Sequence, residues 1–115
     1  MIIRDQFDPD LRKRIKQKKQ IAIIPVGSIE QHGPHLPIST DSDIVTEISL
    51  RFSKKIDGIL LPTINYGISD EHFPFFNLSV KKSTLSKMLD DICGSLIKNG
   101  ISRILIINGH YGNLD

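Results

Sequence analysis

A single cysteine, Cys93, stands among 115 residues, so no internal disulfide can form and a reducing compartment is expected. No apolar run approaches the roughly 20 residues that a membrane-spanning helix needs, which points to a soluble chain with no membrane partner. The first ten residues, MIIRDQFDPD, carry acids and a proline where a secretory signal would have a basic segment, an apolar core and a small-residue cleavage site. A cytoplasmic location is the expectation. Internal repeats and low-complexity segments are also missing.

What is present is ordinary for a globular protein: 39% hydrophobic and 24% charged residues, in a length that fits one domain over residues 1–115. The net charge of +2 conceals a basic run, RKRIKQKK, holding Arg12, Lys13, Arg14, Lys16, Lys18 and Lys19. Such a run could contact phosphates. It has no aromatic residues interleaved, so it reads as a solvated helix face and not as a nucleic-acid site.

Three apolar runs, Ile21–Val26, Ile59–Leu61 and Ile104–Ile107, are continuous rather than alternating, as in strands covered on both faces. Between the first two, Ile44, Val45, Ile48 and Phe52 recur at helical spacing, opposite Glu47, Arg51, Lys54 and Lys55. A helix over about Asp43–Lys55 is predicted, with Ile44, Val45, Ile48 and Phe52 as its buried stripe. A second stripe, Leu85, Met88, Leu89, Ile92, Leu96 and Ile97, predicts a helix over Ser83–Asn99 that stops at Gly100. Cys93 lies beside that stripe and reads as a small buried residue. Strands alternating with helices define an α/β fold, a mainly parallel sheet with helices on both faces. Ligands of such folds gather outside the carboxyl ends of the strands. The longest irregular stretch, Pro62–Lys82, is of the length that is usually functional or disordered, and Tyr66, Phe73, Phe75 and Phe76 argue against disorder.

The polar clusters lie at that strand edge. After the first strand, EQH places Glu30 and His32 two residues apart, on one side of an extended backbone. A carboxylate with an imidazole suits a divalent ion of the zinc or manganese type, but a polar loop capping a strand would look similar. His35, held between two prolines, reads equally as a ligand or as a group supporting one. Asp41 stands at the start of the first long helix, where an N-cap role is the alternative to ligation. After the third strand, NGHYGN sets His110 between glycines that permit close backbone approach. Four candidate ligands, Glu30, His32, Asp41 and His110, thus share one edge of the sheet.

Two motifs, VGSIEQHGPHLPISTDSDI at Val26–Ile44 and NGHYGN at Asn108–Asn113, make the chain resemble the N-terminal half of the creatininase family of metal-dependent amidohydrolases. A third stretch, GISDEHFPFFNLSV, is similar to the family's Ser-x-Glu-His segment, although Phe73-Pro74 follows His72 directly and the usual Gly-Thr is absent. The resemblance implies ligation of two ions of zinc, manganese or iron by Glu30, His32, Asp41 and His110, with Asp41 bridging them. In creatininase itself a glutamate two residues after the last histidine is a further ligand. Here that position is Gly112, which disfavours creatinine as substrate.

The implied activity is hydrolysis of a non-peptide or cyclic amide, or a formamide, by a metal-bridging hydroxide whose parent water has its pKa lowered toward ~7. A deformylase-like reaction is the preferred form. His35 and His72 are the candidates for general acid and base. The family is about twice as long as this chain, so an incomplete creatininase-like domain is expected. It would act as a homo-oligomer or with a complementing second-half chain. The alternative is a non-catalytic metal-binding or structural subunit. Phosphate binding at the helix start ranks behind both, since Asp41 repels an anion there.

Overall fold

The computed structural model describes residues 1–114. Its centre is β1 (Ile21–Val26), which is almost wholly buried from Ala22 onward. Parallel to β1 on one side runs β5 (Arg103–Asn108), in register from Ile21↔Arg103 to Val26↔Asn108; on the other lies the short β3 (Ile59–Leu60). The order β3-β1-β5 makes β5 an edge. A second, two-stranded ribbon pairs β2 (Ile29–Glu30) antiparallel with β4 (Asn77–Leu78).

Alternate residues of β1 face opposite layers. Ala22, Ile24 and Val26 pack with Leu85 and Leu96 of α3 (Lys82–Lys98), and Leu11 and Ile15 of α1 (Asp8–Gln17) lie against the same cluster. The opposite face is covered by α2 (Thr40–Ile56). Three layers with helices on both faces are therefore present, as the strand and helix pattern predicts. In α1, Arg12, Lys13 and Lys16 are exposed, while Arg14 ties the helix to Gln20 and Asp57. Cys93 is half-buried beside the α3 cluster. Among the described residues no helix is long and apolar enough to cross a membrane.

The burial of α2 differs from expectation. Its buried residues are Ser42, Val45, Ser49 and Ser53, at helical spacing, whereas Ile44, Ile48 and Phe52 are 54%, 53% and 37% exposed. Close packing accounts for the change of face. A Cβ at Gly27 would lie 2.6 Å from the Ser42 Cα, and one at Gly109 would lie 2.6 Å from the Val45 Cβ. Only small side chains fit between this helix and the ends of β1 and β5. The Ser42 hydroxyl is satisfied in the layer by donating to the Ser28 carbonyl, 3.1 Å away.

The helix also begins three residues earlier than the apolar spacing indicates, with Ser39 as its cap residue, so Asp41 lies inside the first turn. It ends at Asp57, in a left-handed conformation with φ 52°, where Arg14 and Lys18 hold the carboxylate.

The stretch after β3 is folded. Ile64 bridges to Val26, a 3-10 turn covers Asp70–His72, and β4 returns to pair with β2. Its aromatics Tyr66, Phe73, Phe75 and Phe76 point largely to solvent. The net result is that the ends of β1 and β5, the first turn of α2 and the Asp70–His72 turn meet at one edge.

If the glycine contact sets the position of α2, Gly27→Ala should destabilise the chain by about 1–3 kcal/mol, the usual cost of overpacking. Urea unfolding monitored by circular dichroism tests this; a stability equal to wild type would show that the helix has room to move.

Candidate metal centre

The four predicted residues come together. Glu30 closes β2 with its side chain 2% exposed, His32 follows on the adjoining turn, Asp41 reaches in from α2, and His110 lies two residues beyond β5. Asp41 is the pivot: its Oδ1 is 3.1 Å from His32 Nε2 and its Oδ2 is 2.9 Å from His110 Nδ1. His110 Nδ1 is also 3.0 Å from Glu30 Oε1. The Ser28 hydroxyl donates to Asp41 Oδ2 at 2.8 Å, with Glu30 Oε1 3.3 Å away. These oxygens serve side chains and not backbone N–H groups, so Asp41 is no N-cap.

The other ring nitrogen of each histidine identifies its tautomer. His32 Nδ1 lies 3.1 Å from the Glu30 carbonyl and His110 Nε2 lies 2.8 Å from the Ile68 carbonyl. A carbonyl only accepts, so those nitrogens carry the hydrogens. In the neutral rings the bare nitrogens of His32 and His110 then face carboxylate oxygens. Lone pairs facing lone pairs call for a proton or a metal ion between them, and backbone-anchored imidazoles of this kind are the usual support of metal ligands.

Charge in the cluster is arranged accordingly. Burial, together with the hydrogen bond to Asp41, pushes the Glu30 carboxyl above its ordinary range, against the pull of His110 and His72. Burial also opposes ionisation of Asp41, but Ser28, Glu30 and the two histidines together hold it below the usual carboxylate value. The Glu30 carbonyl, followed by Asp41, raises His32 against the effect of its burial.

The donor set fits a divalent ion because its atoms gather in one corner of the fold. Glu30, His32 and Asp41 offer donor atoms within 4.8 Å of one another, as do Glu30, Glu71 and His110. Two carboxylates and imidazole nitrogens form a mixed oxygen and nitrogen set of the zinc or manganese type.

The remaining candidates separate. His35 is exposed on the turn after Gly33, and its side chain makes no hydrogen bond or ion pair among the described residues. His72 is drawn in, its Nε2 2.9 Å from Glu30 Oε2. Several contributors escape sequence reasoning. Ser28 sits two before Glu30, at the alternate spacing that could have drawn notice. Glu71 places Oε1 3.6 Å from His110 Nε2. Asn113 accepts from the Ile68 N–H at 2.8 Å and donates to the Gly27 carbonyl at 3.1 Å, stitching the loop to the end of β1. No local pattern announces contacts made over so long a separation.

The family profile described as creatininase, creatinine amidohydrolase, matches residues 5–115. Creatinine amidohydrolase of Pseudomonas putida is 31% identical over 81% of this chain and 38% of its own length. The mycofactocin precursor peptide peptidase of Mycolicibacterium smegmatis is 34% identical over 83% and 41%. A 2-amino-5-formylamino-6-ribosylaminopyrimidin-4(3H)-one 5'-monophosphate deformylase of Methanobrevibacter ruminantium is 34% identical over 83% and 41%. A crystal structure of creatininase superposes at TM-score 0.92 and 28% identity, covering 98% of this chain and 46% of the other. Creatininases described as Mn and as a variant of Zn-Zn type superpose at 0.91. The chain belongs to the creatininase family, and it spans less than half the length of the relatives it matches.

The shifted groups set a pH signature for the metal-free chain. Glu30 is raised above its ordinary 4.5 and His32 above 6.5, so the stability each contributes is complete below those values and lost as pH rises through the raised ones. Asp41 is lowered from 3.8, so its contribution is already present above that pH and is lost only in stronger acid. Without metal, stability should therefore fall as pH rises from about 4.5 to beyond neutrality. Glu30→Gln, which removes a buried unsatisfied carboxylate, should flatten the first part of that fall and stabilise the metal-free chain at neutral pH by about 1–3 kcal/mol. Thermal melts in chelator across this range are the check; a Glu30→Gln profile parallel to wild type would contradict it.

Proposed function

We propose that this chain carries the metal-binding half of a metal-dependent amidohydrolase acting on a small-molecule amide or formamide C–N bond. The observation that supports it most is the pair of backbone-anchored imidazoles whose bare nitrogens face the two oxygens of Asp41. His110, Glu30 and Asp41 Oδ2 would hold one divalent ion; His32 and Asp41 Oδ1 would hold the second. When bound, such a pair supplies Lewis acidity toward an amide carbonyl and an activated water. The chain's own part is to fix that geometry in a buried corner, with Asp41 common to both positions.

Relatives named for creatinine, formamide and peptide cleavage leave the substrate to the loop around Gly112. A side chain there would begin 2.5 Å from both His110 Nε2 and the Ile68 carbonyl. The Ile68–Glu71 loop fills the space that a further carboxylate ligand on residue 112 would need, which favours the formamide reading over creatinine. Protonation of the leaving nitrogen calls for an acid. His35 faces solvent and His72 is engaged with Glu30, so we assign the role to neither.

A second reading, a non-catalytic subunit that needs completion by another polypeptide, draws support from the outer face of α2. Ile44, Ile48 and Phe52 are exposed there, and Phe52 shares a shallow groove with Leu105 of the edge strand β5. Such contiguous apolar surface favours a covering partner, either a second copy or a second-half chain.

Metal analysis after dialysis separates the residues. Wild type should retain up to two divalent ions, His32→Ala should lose one, and Asp41→Ala should lose both. Unchanged metal content in Asp41→Ala would sink the metal-centre reading. Hydrolysis of a formylamino-pyrimidine by the loaded chain supports the enzyme reading, and a loaded chain without amidase activity supports the incomplete subunit.

A further inference from the structure

The Asp70–His72 turn touches the cluster at a point that the four ligands leave free. Glu30 presents Oε1 to His110 and Ser28, while its buried Oε2 makes no hydrogen bond among the described residues. His72 Nε2 stands 2.9 Å from that oxygen. The tautomer of its neutral ring follows from a chain of contacts that starts on the backbone. The Gly33 N–H donates to Gln31 Oε1 at 3.0 Å, which orients the amide, and Gln31 Nε2 then donates to His72 Nδ1 at 3.0 Å. With Nδ1 accepting, the neutral ring carries its hydrogen on Nε2, the nitrogen that stands beside Glu30 Oε2.

Backbone pairing holds both ends of this chain in place. The Gln31 N–H donates to the Phe76 carbonyl at 2.8 Å, Glu30 pairs with Asn77, and the His72 N–H and carbonyl bond to Ser69 and Phe75.

We infer that His72, oriented by Gln31, is a positioning residue for Glu30: it holds Oε2 away from the ions and leaves Oε1 as the single oxygen that Glu30 offers to the metal. This rests on the metal-centre reading above. A carboxylate pinned at one oxygen keeps a fixed bite and direction. A free one would rotate or bind through both oxygens, and loss of such outer support typically lowers metal affinity 10–100-fold. The role differs from acid catalysis, since His72 Nε2 stands against a ligand and not in open space. It also gives Gln31, the middle letter of EQH, a task distinct from its neighbours.

The experiment compares wild type, His72→Ala, His72→Gln and Glu30→Ala as the full chain. Zn2+ affinity is measured by competition with a chromophoric chelator, Co2+ spectra report ligand geometry, and thermal melts are run in chelator. His72→Ala is expected to lower the metal-free melting temperature only slightly but to bind Zn2+ about 10–100-fold more weakly, with an altered Co2+ spectrum. His72→Gln, whose amide N–H can reach Oε2, should recover part of the affinity. Equal Zn2+ affinity in wild type and His72→Ala, with metal lost in Glu30→Ala, would overturn the positioning role and leave the metal centre standing. A parallel loss of metal-free stability and affinity that His72→Gln does not restore would also overturn it, as a purely structural effect. A wild-type chain that takes up neither Zn2+ nor Co2+ would remove the metal-centre reading and this inference together.

Discussion

Two carboxylates, Glu30 and Asp41, occupy one corner from which water is largely excluded, and the local features answer to the cost of burying them there. Burial and the hydrogen bond to Asp41 push the Glu30 carboxyl up, while Ser28, Glu30 and the two histidines hold Asp41 down against its own burial. Imidazoles arrive from two different segments with their hydrogens already committed to backbone carbonyls. Ser28 contributes the one hydroxyl that touches both acids. A cation resolves this arrangement better than any internal rearrangement could, because a proton satisfies one contact and a divalent ion satisfies several.

The corner exists because α2 sits unusually close to the sheet. Gly27 and Gly109 remove the side chains that would otherwise hold the helix off, and the serine stripe of α2 accepts the close approach. Asp41 can then stand in the first turn of that helix and still reach groups at the ends of β1 and β5. The apolar residues that the helix does not need for this contact are left outside. Local packing at the site and surface character at the far side of the helix thus have a common cause.

Much of this was legible in the sequence. Continuous apolar runs marked the three parallel strands, and strand ends followed by EQH and NGHYGN marked the edge at which the acids and imidazoles would meet. Periodicity misplaced the inner face of α2 because it weighs Ile and Phe above Ser, whereas helix-to-sheet distance here selects for size. The helix starts earlier than apolar spacing indicates because the polar STDSD stretch lacks that spacing, and Ser39 gives no side-chain cap to mark it, its hydroxyl donating to Asp43 instead. His35 and His72 looked alike as loop histidines. Their difference lies in the pairing of β2 with β4, which carries His72 back to Glu30 while His35 stays on an open turn. Two-residue strands of that kind have no periodicity to read.

The ligands lie far apart along the chain, from Glu30 to His110, about 80 residues of loop in polymer terms. An ion held by both ends would therefore act as a clasp: it closes a long loop and ties α2 and the end of β5 to the start of the fold. Closing so long a segment removes more freedom from the unfolded chain than a clip between near neighbours would. Metal supply would then set how much of the chain is folded at any moment, before any question of substrate arises.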